Sequence, residues 1–384
     1  MKIIVTGGDG YCGWPISTTL ASSGHNILIL DNFSRRKIDR KFNLSPLNKI
    51  YSLKVRVESF NRLKLKKGKI DYKKIDLLKN LTKLKDILKK FKPDCIIHLA
   101  HQRSAPFSML NLNTNTYTVD NNVSALNNLL ATLVDLKTFP KIIHLGTMGV
   151  YGYDQRFGKI PEGYLDVKIN QTRKNAKILF PTNPGSIYHL TKSMNQLILS
   201  FYKKNWNKFD ITDLHQGIVW GFVNDLVNKD KRLINRFDYD GEYGTVLNRF
   251  IVQAIYHEHM TIYGTGEQTR AFIHIDDTCE CINLALNDTK RSGSVKIFNQ
   301  IGDVKSLNEI AKMVKNLTGA KIKNIKNPRK ELSKNDLFVT NLGFKKLGFK
   351  PIKITEERIM SILRDVKKYK YNFNSKIISS KALW

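Results

Sequence analysis

The chain is short of cysteine, of acidic residues and of long apolar runs, and each shortage excludes a class of protein. Four cysteines in 384 residues, Cys12, Cys95, Cys279 and Cys281, are too few and too irregularly spaced for a disulfide framework. Cys279 and Cys281 stand two apart with no second pair, so no zinc site is expected. No stretch approaches the length of apolar sequence that spans a bilayer, so no membrane association is expected. The first predicted strand starts at Lys2, which leaves no space for a targeting segment ahead of it, and a cytoplasmic protein is expected. Acidic residues number 33 against 64 Lys and Arg, a net charge of +31. Such an excess suits nucleic acid, but the lysines are scattered (LKLKKGK at 63–69, DILKKFK at 86–92, DVKKYKY at 365–371) on what read as solvated faces. No nucleic-acid partner is therefore expected, although the positive field favours anionic ligands.

What the chain does have is a series of β-branched runs: KIIVTG at 2–7, NILILD at 26–31, CIIHLA at 95–100, KIIHLGT at 141–147 and ITDLHQGIVWG at 211–221. Continuous runs of this kind predict strands buried on both faces, hence a parallel sheet covered by helices. Helix-spaced apolar residues fall between them, at 79–91, roughly 115–136 and 186–205. That order predicts an α/β protein built on a Rossmann-type, doubly wound parallel sheet. Residues 1–217 are expected to form this domain, with a returning segment near 271–287. Residues 218–384 are expected to form a smaller C-terminal α/β substrate domain, with helices near 245–257, 306–317 and 354–369. The polar stretch 153–183 reads as an active-site loop or insertion.

Three features carry chemistry. In TGGDGYCGWPIS at 6–17, Gly7, Gly10 and Gly13 lie between a strand and a helix, the context of a dinucleotide-binding turn. Asp31 ends the second strand, 18 residues after Gly13, where a carboxylate accepts hydrogen bonds from ribose hydroxyls and repels a 2′-phosphate. NAD is thus expected over NADP, with Arg35 and Arg36 the two residues that complicate the choice. In SIYHLTK, Tyr188 and Lys192 are four apart on one helix face, and an ammonium there is expected to lower the phenol pKa. Thr147 ends a strand, where its hydroxyl can bond both a phenol and a substrate alcohol.

These residues resemble the extended short-chain dehydrogenase/reductase superfamily, whose members transform nucleotide sugars with bound NAD. The likeness extends over nearly the whole chain. Further stretches narrow it: GGDGYCGW, DNFSRRKID, QRSAPFSM at 102–109, NNVSALNNLL, GTMGVYG, YHLTK, NRFDYDGEYGTVLNRFIVQA and YGTGEQTRAFIHIDD. Together they resemble the UDP-sulfoquinovose synthase family, which makes a sulfolipid head-group precursor from UDP-glucose and sulfite.

The resemblance implies a cycle of oxidation at sugar carbon 4, elimination across carbons 5 and 6, addition of sulfite at carbon 6 and re-reduction. It makes Thr147, Tyr188 and Lys192 catalytic, with His189 the candidate for proton transfer at carbons 5 and 6. It assigns to the cofactor Gly7, Gly10, Tyr11, Cys12, Gly13, Asp31, Asn32, Arg35, Arg36, Asp76, Leu77, Arg103, Asn121, Tyr188, Lys192 and Val219. To the substrate it assigns Arg103, Thr147, Gln216, Thr245, Val246, Leu247, Asn248, Arg249, Thr261, Ile262, Tyr263, Arg270 and Arg329. Its partners are UDP-glucose, sulfite either free or delivered by a partner protein, and a second copy of the chain in a homodimer; no metal is implied.

Two other activities of the superfamily stay open at this point. A 4-epimerase needs only Thr147, Tyr188, Lys192 and a substrate free to rotate. A 4,6-dehydratase carries an Asp-Glu pair directly after its Thr, whereas Thr147 is followed by Met148 and Gly149. A catalytically idle NAD sensor or nucleic-acid binder is disfavoured by the intact Thr, Tyr and Lys.

Overall fold

A computed structural model describes residues 1–63, 68–152, 160–168, 175–222, 225–256, 259–329 and 338–384. Strands β1 (Lys2–Thr6), β2 (Asn26–Asp31), β3 (Ile70–Lys74), β4 (Cys95–His98) and β5 (Lys141–Leu145) come first. A hairpin follows, β6 (Tyr164–Lys168) and β7 (Asn175–Leu179), then β8 (Ile211–Gln216) and β9 (Ile218–Trp220). The last third adds β10 (His259–Tyr263), β11 (Thr269–His274), β12 (Lys296–Gln300), β13 (Asp303–Ser306) and β14 (Lys321–Ile325).

Seven strands form one sheet in the order β12-β8-β5-β4-β1-β2-β3, with every pairing parallel. The period-2 geometry of a strand explains why β1 is apolar throughout. Ile3 and Val5 pack on one face against the helices Gly13–Ser22 and Ile275–Asn287, through Trp14, Ile16, Cys279 and Ile282. Ile4 packs on the other against the helices Leu81–Phe91 and Ala125–Asp135, through Leu84, Leu126 and Leu129. The chain runs outward from β1 to β2 on one side and from β4 to β5 on the other. This switch point opens a crevice at the carboxyl ends of β1 and β4.

The segment 211–221, read as one strand, is two. It breaks at Gly217, after which β8 remains in the main sheet while β9 pairs with β11, itself paired with β13. The segment expected as one helix near 115–136 is also divided. A π-helical turn at Asp120–Ser124 separates the helices Leu112–Val119 and Ala125–Asp135, a feature that often marks functional positions in helices. The helix Ile275–Asn287 does pack on the Rossmann sheet, and β12 joins that sheet beside β8, which sequence periodicity did not indicate. A second core holds the remainder: Trp220, Phe237, Leu247, Phe250, Ile262, Phe272, Ile310 and Ile359 are all buried in it. The stretch 153–183 contains the β6–β7 hairpin; its residues 153–159 and 169–174 lie outside the described part.

Candidate active site

The crevice at the switch point begins with the turn after β1. A Cβ on Gly13 would stand 2.2 Å from the Gly7 carbonyl oxygen, so the turn closes this tightly only with glycine there. No side chain caps the helix Gly13–Ser22 at Cys12; the Trp14 N–H goes to the Gly10 carbonyl at 3.2 Å and Pro15 has none, so the helix end offers the cleft the Gly13 N–H and the turn before it. This is the arrangement that receives a pyrophosphate. Asp31 lines the same cleft; its Oδ2 accepts from the Asp9 N–H at 3.0 Å and its Oδ1 from the Phe33 N–H at 2.7 Å. Burial, reinforced by the nearby Asp9 charge, pushes the Asp31 carboxyl up to about 6. Hydroxyl donors would stabilise it and a phosphate would not.

The two arginines that complicated the choice of cofactor are already engaged. Arg36 grips Asp9 through Nε and through a second nitrogen at 2.9 Å, and it donates to the Tyr51 carbonyl at 2.7 Å. Arg35 pairs with Asp39 and, at 3.3 Å, with Asp238, and its guanidinium lies 3.7 Å from the centre of the Tyr243 ring. The residues present therefore fit NAD. Asn32, Asp76, Leu77, Arg103, Asn121, Tyr188 and Lys192 line this cleft with the glycines, Tyr11, Cys12, Asp31 and Arg35. Arg36 does not line it, because Asp9 holds it aside, and Val219 faces the neighbouring cleft instead.

Tyr11 and Trp14 have a structural task. The Tyr11 hydroxyl donates to the Gly221 carbonyl at 2.6 Å, and Trp14 Nε1 donates to the Leu233 carbonyl at 2.8 Å. They bind the glycine-rich turn to the segment that follows β9. Burial pushes the Cys12 thiol up to about 11, so it is an unreactive neighbour of the cofactor cleft.

The catalytic candidates meet where the two clefts join. Thr147 caps the short turn Met148–Tyr151, and its hydroxyl oxygen accepts from the Gly149 N–H at 3.2 Å. The same hydroxyl faces the Tyr188 phenol and acts to lower its pKa. Tyr188 and His189 lie in the first turn of the helix Ile187–Asn205. That end is held by Ser108 Oγ, which accepts from the Tyr188 N–H at 3.1 Å, and by Ser186 Oγ, which accepts from the His189 N–H at 3.2 Å. The expectation that Lys192 depresses the phenol pKa is not met. Burial dominates and pushes Tyr188 up to about 12, with the Thr147 bond and the Arg103 charge acting downward. Lys192 Nζ is 6.0 Å from the centre of the phenol ring, and burial drives the lysine itself down to about 7.

Gly149 explains the position of His189. A Cβ at residue 149 would stand 2.2 Å from His189 Cδ2 and 2.4 Å from Nε2. The imidazole thus occupies the space that an acidic side chain two residues after Thr147 would need.

The second cleft carries Arg103, Thr147, His189, Gln216, Val219, Thr245, Val246, Arg249, Tyr263, Arg270 and Arg329. Arg103 borders both clefts, donating to Asp238 and, at 3.2 Å, to the Tyr243 carbonyl. The Thr245 hydroxyl is buried with no hydrogen-bond partner among the described residues, an acceptor or donor available to a ligand. Leu247, Asn248, Thr261 and Ile262 do not line the cleft. Leu247 and Ile262 are core residues, the Asn248 side chain donates to the Asp238 carbonyl at 3.2 Å, and Thr261 Oγ1 accepts from Gln253 at 2.7 Å.

Sequence reasoning missed Asp9, Asp238 and Tyr243, which anchor the arginines, and a buried polar cluster of His98, His101, His144, Asn195, Asp213 and His215 beside Lys192. The cluster did leave a trace in the sequence: polar residues inside the otherwise apolar runs CIIHLAH, KIIHLGT and ITDLHQ.

The profile of the NAD dependent epimerase/dehydratase family matches residues 3–300. The chain is 32% identical over 388 residues to the chloroplastic UDP-sulfoquinovose synthase of Spinacia oleracea, covering 100% of this chain and 79% of that one. It is 31% identical over 395 residues to the UDP-sulfoquinovose synthase of Sulfolobus acidocaldarius, covering 100% of this chain and 98% of that one. Among solved structures, the UDP-glucose 4-epimerase of Thermotoga maritima with UDP-glucose superposes with a TM-score of 0.71 at 22% identity. It covers 96% of this chain and 99% of its own, a likeness of fold.

Proposed function

The chain belongs to the NAD dependent epimerase/dehydratase family, and from that premise we propose that it is a synthase converting UDP-glucose and sulfite to UDP-sulfoquinovose. The observation that carries the reading is the junction of the two clefts, where Thr147, Tyr188, His189 and Arg103 converge. An epimerase uses the first two; elimination and sulfite addition also require a proton-transfer group and a cation.

Bound NAD supplies the hydride acceptor for carbon 4, returns the hydride at the end, and adds a positive charge to the cleft. Tyr188, ionised against the positive charge that bound NAD would add to the cleft, takes the proton of the 4-hydroxyl, and Thr147 orients both oxygens. Oxidation at carbon 4 acidifies the carbon 5 proton; His189 removes it and protonates the leaving 6-hydroxyl. Arg103 holds sulfite for attack at carbon 6, while Arg249, Arg270 and Arg329 receive the diphosphate, for which a planar guanidinium suits two oxygens at once. Sulfite arrives free or from a partner protein.

A homodimer is part of the proposal. Leu190, Met194, Leu197 and Phe201 form one stripe on the helix Ile187–Asn205, and Leu197 and Phe201 are 63% and 56% exposed. Cytoplasmic residence is supported by four unpaired cysteines, as in reducing compartments; among the described residues no helix is long and apolar enough to cross a membrane.

The test is incubation of the purified protein with UDP-glucose and sulfite, followed by mass spectrometry. A sulfonated UDP-sugar is expected. UDP-galactose without a sulfonated product refutes the synthase.

A further inference from the structure

Residues 374–384 line neither cleft, yet they bind together three segments that build the second one. The first of these is the loop from Tyr239 to Glu242. The Asn374 N–H donates to the Tyr239 hydroxyl at 2.9 Å, and the Gly241 N–H donates to the Ile377 carbonyl at 2.7 Å. A Cβ on Gly241 would stand 2.1 Å from the Ser380 nitrogen, so closely do the two segments lie. The Glu242 carboxylate accepts from Ser380 Oγ at 3.2 Å and from the Lys381 N–H at 3.0 Å. Gly241 and Glu242 both line the second cleft.

Trp384 joins the other two. Its backbone N–H donates to the Pro328 carbonyl at 3.1 Å, and its indole Nε1 donates to the Gly185 carbonyl at 2.8 Å. Pro328 precedes Arg329, and Gly185 precedes Ser186, whose Oγ holds the first turn of the helix that carries Tyr188 and His189. With the indole fixed by these two bonds, the Arg329 guanidinium lies over it, 5.1 Å from the ring centre. Arg329 lines the second cleft. Stacking engages the flat face of a guanidinium and leaves its N–H groups, which lie in the plane, to meet oxygens. An arginine otherwise loses much rotamer freedom when it meets an anion, and one ordered beforehand binds more tightly.

We propose that Trp384 is a positioning residue for the nucleotide: its ring holds Arg329 in the orientation that receives the diphosphate. The inference rests on Arg329 being a diphosphate ligand, as proposed above. Trp384 itself lines neither cleft, so its effect on binding passes through Arg329. The bonds to Pro328 and Gly185 keep the indole in place, and the second of them ties the diphosphate arm to the entrance of the helix Ile187–Asn205.

Calorimetric titration of UDP into the full chain with its bound NAD tests this without turnover. Trp384→Leu should weaken UDP binding about tenfold, and Trp384→Phe, which returns a ring to the guanidinium, should recover it to within about threefold of the wild type. A cycle with Arg329→Met separates positioning from general packing. In that background Trp384→Leu should change the affinity by less than about twofold, because the arm that the ring orders is gone. Equal losses in the two backgrounds, no loss on Trp384→Leu, or a Trp384→Phe affinity no better than that of Trp384→Leu overturns the proposal. If Trp384→Leu does not fold, Trp384→Met decides on the same criteria. The coupling together with no sulfonated product refutes the synthase and leaves this inference standing. UDP binding without the coupling overturns the inference and leaves the synthase, and a wild type that binds no UDP overturns both.

Discussion

Gly149→Ala adds a single methyl group and tests the role of His189. The new Cβ would stand 2.2 Å from His189 Cδ2 and 2.4 Å from Nε2, about 1 Å inside ordinary van der Waals contact. The His189 backbone cannot retreat, because its N–H is bonded to Ser186 Oγ in the first turn of the helix. The ring must therefore rotate, at a cost of about 0.5–1.5 kcal/mol. Overpacking adds little more, since the far end of one side chain gives way, and the loss of stability should stay below about 2 kcal/mol. Catalysis is more sensitive. A misplacement of about 1 Å costs on the order of 100-fold, within the contribution of a general acid–base group, about 10²–10⁴-fold. The assay is exchange of the carbon 5 proton of UDP-glucose in heavy water, read beside the near-ultraviolet absorbance of reduced nicotinamide. Exchange should fall about 100-fold, or roughly 2.7 kcal/mol, while hydride transfer from carbon 4 changes only a few-fold. Exchange and sulfonation at wild-type rates would refute the assignment of His189.

The Asp31 carboxyl, near 6 in the folded chain against 3.8 as its reference, binds its proton more tightly when folded. The stability of the NAD-free protein should then fall as pH rises through that window, by about 3 kcal/mol. Urea unfolding at several pH values should show this slope in the wild type and its loss in Asp31→Asn, with weaker NAD binding; an unchanged slope would contradict the burial argument. The paired substitution Leu197→Glu and Phe201→Glu should convert a dimer to monomers in sedimentation experiments, and dimers that persist would place the interface elsewhere.

Much of the fold is legible in the sequence because it depends on local pattern. The β-branched runs at 2–7, 26–31, 95–100 and 141–147 are buried on both faces and form parallel strands, as continuous apolarity requires. The glycine turn, Asp31, Tyr188 and Lys192 follow from spacing along a strand or helix, and the structure brings them to one cleft. β3 was not legible, since its sequence IDYKK is half-exposed and charged. Nor was β12, whose place beside β8 is set by a pairing some 80 residues distant.

The sequence by itself determined a Rossmann fold, a dinucleotide site that disfavours a 2′-phosphate, and a Thr, Tyr and Lys set in order along the chain. Tertiary structure alone decided what those groups experience. It engaged Arg35 and Arg36 with aspartates from elsewhere in the chain, seated His189 against Gly149, and set Lys192 against His101 from the segment after β4. The physical reason is that charge state depends on burial and on neighbours within a few ångströms. Those neighbours come from segments that are remote in sequence. A four-residue spacing puts Lys192 on the face of Tyr188, but burial beneath the cleft lowers it there, against the charge of Asp213 from a remote strand.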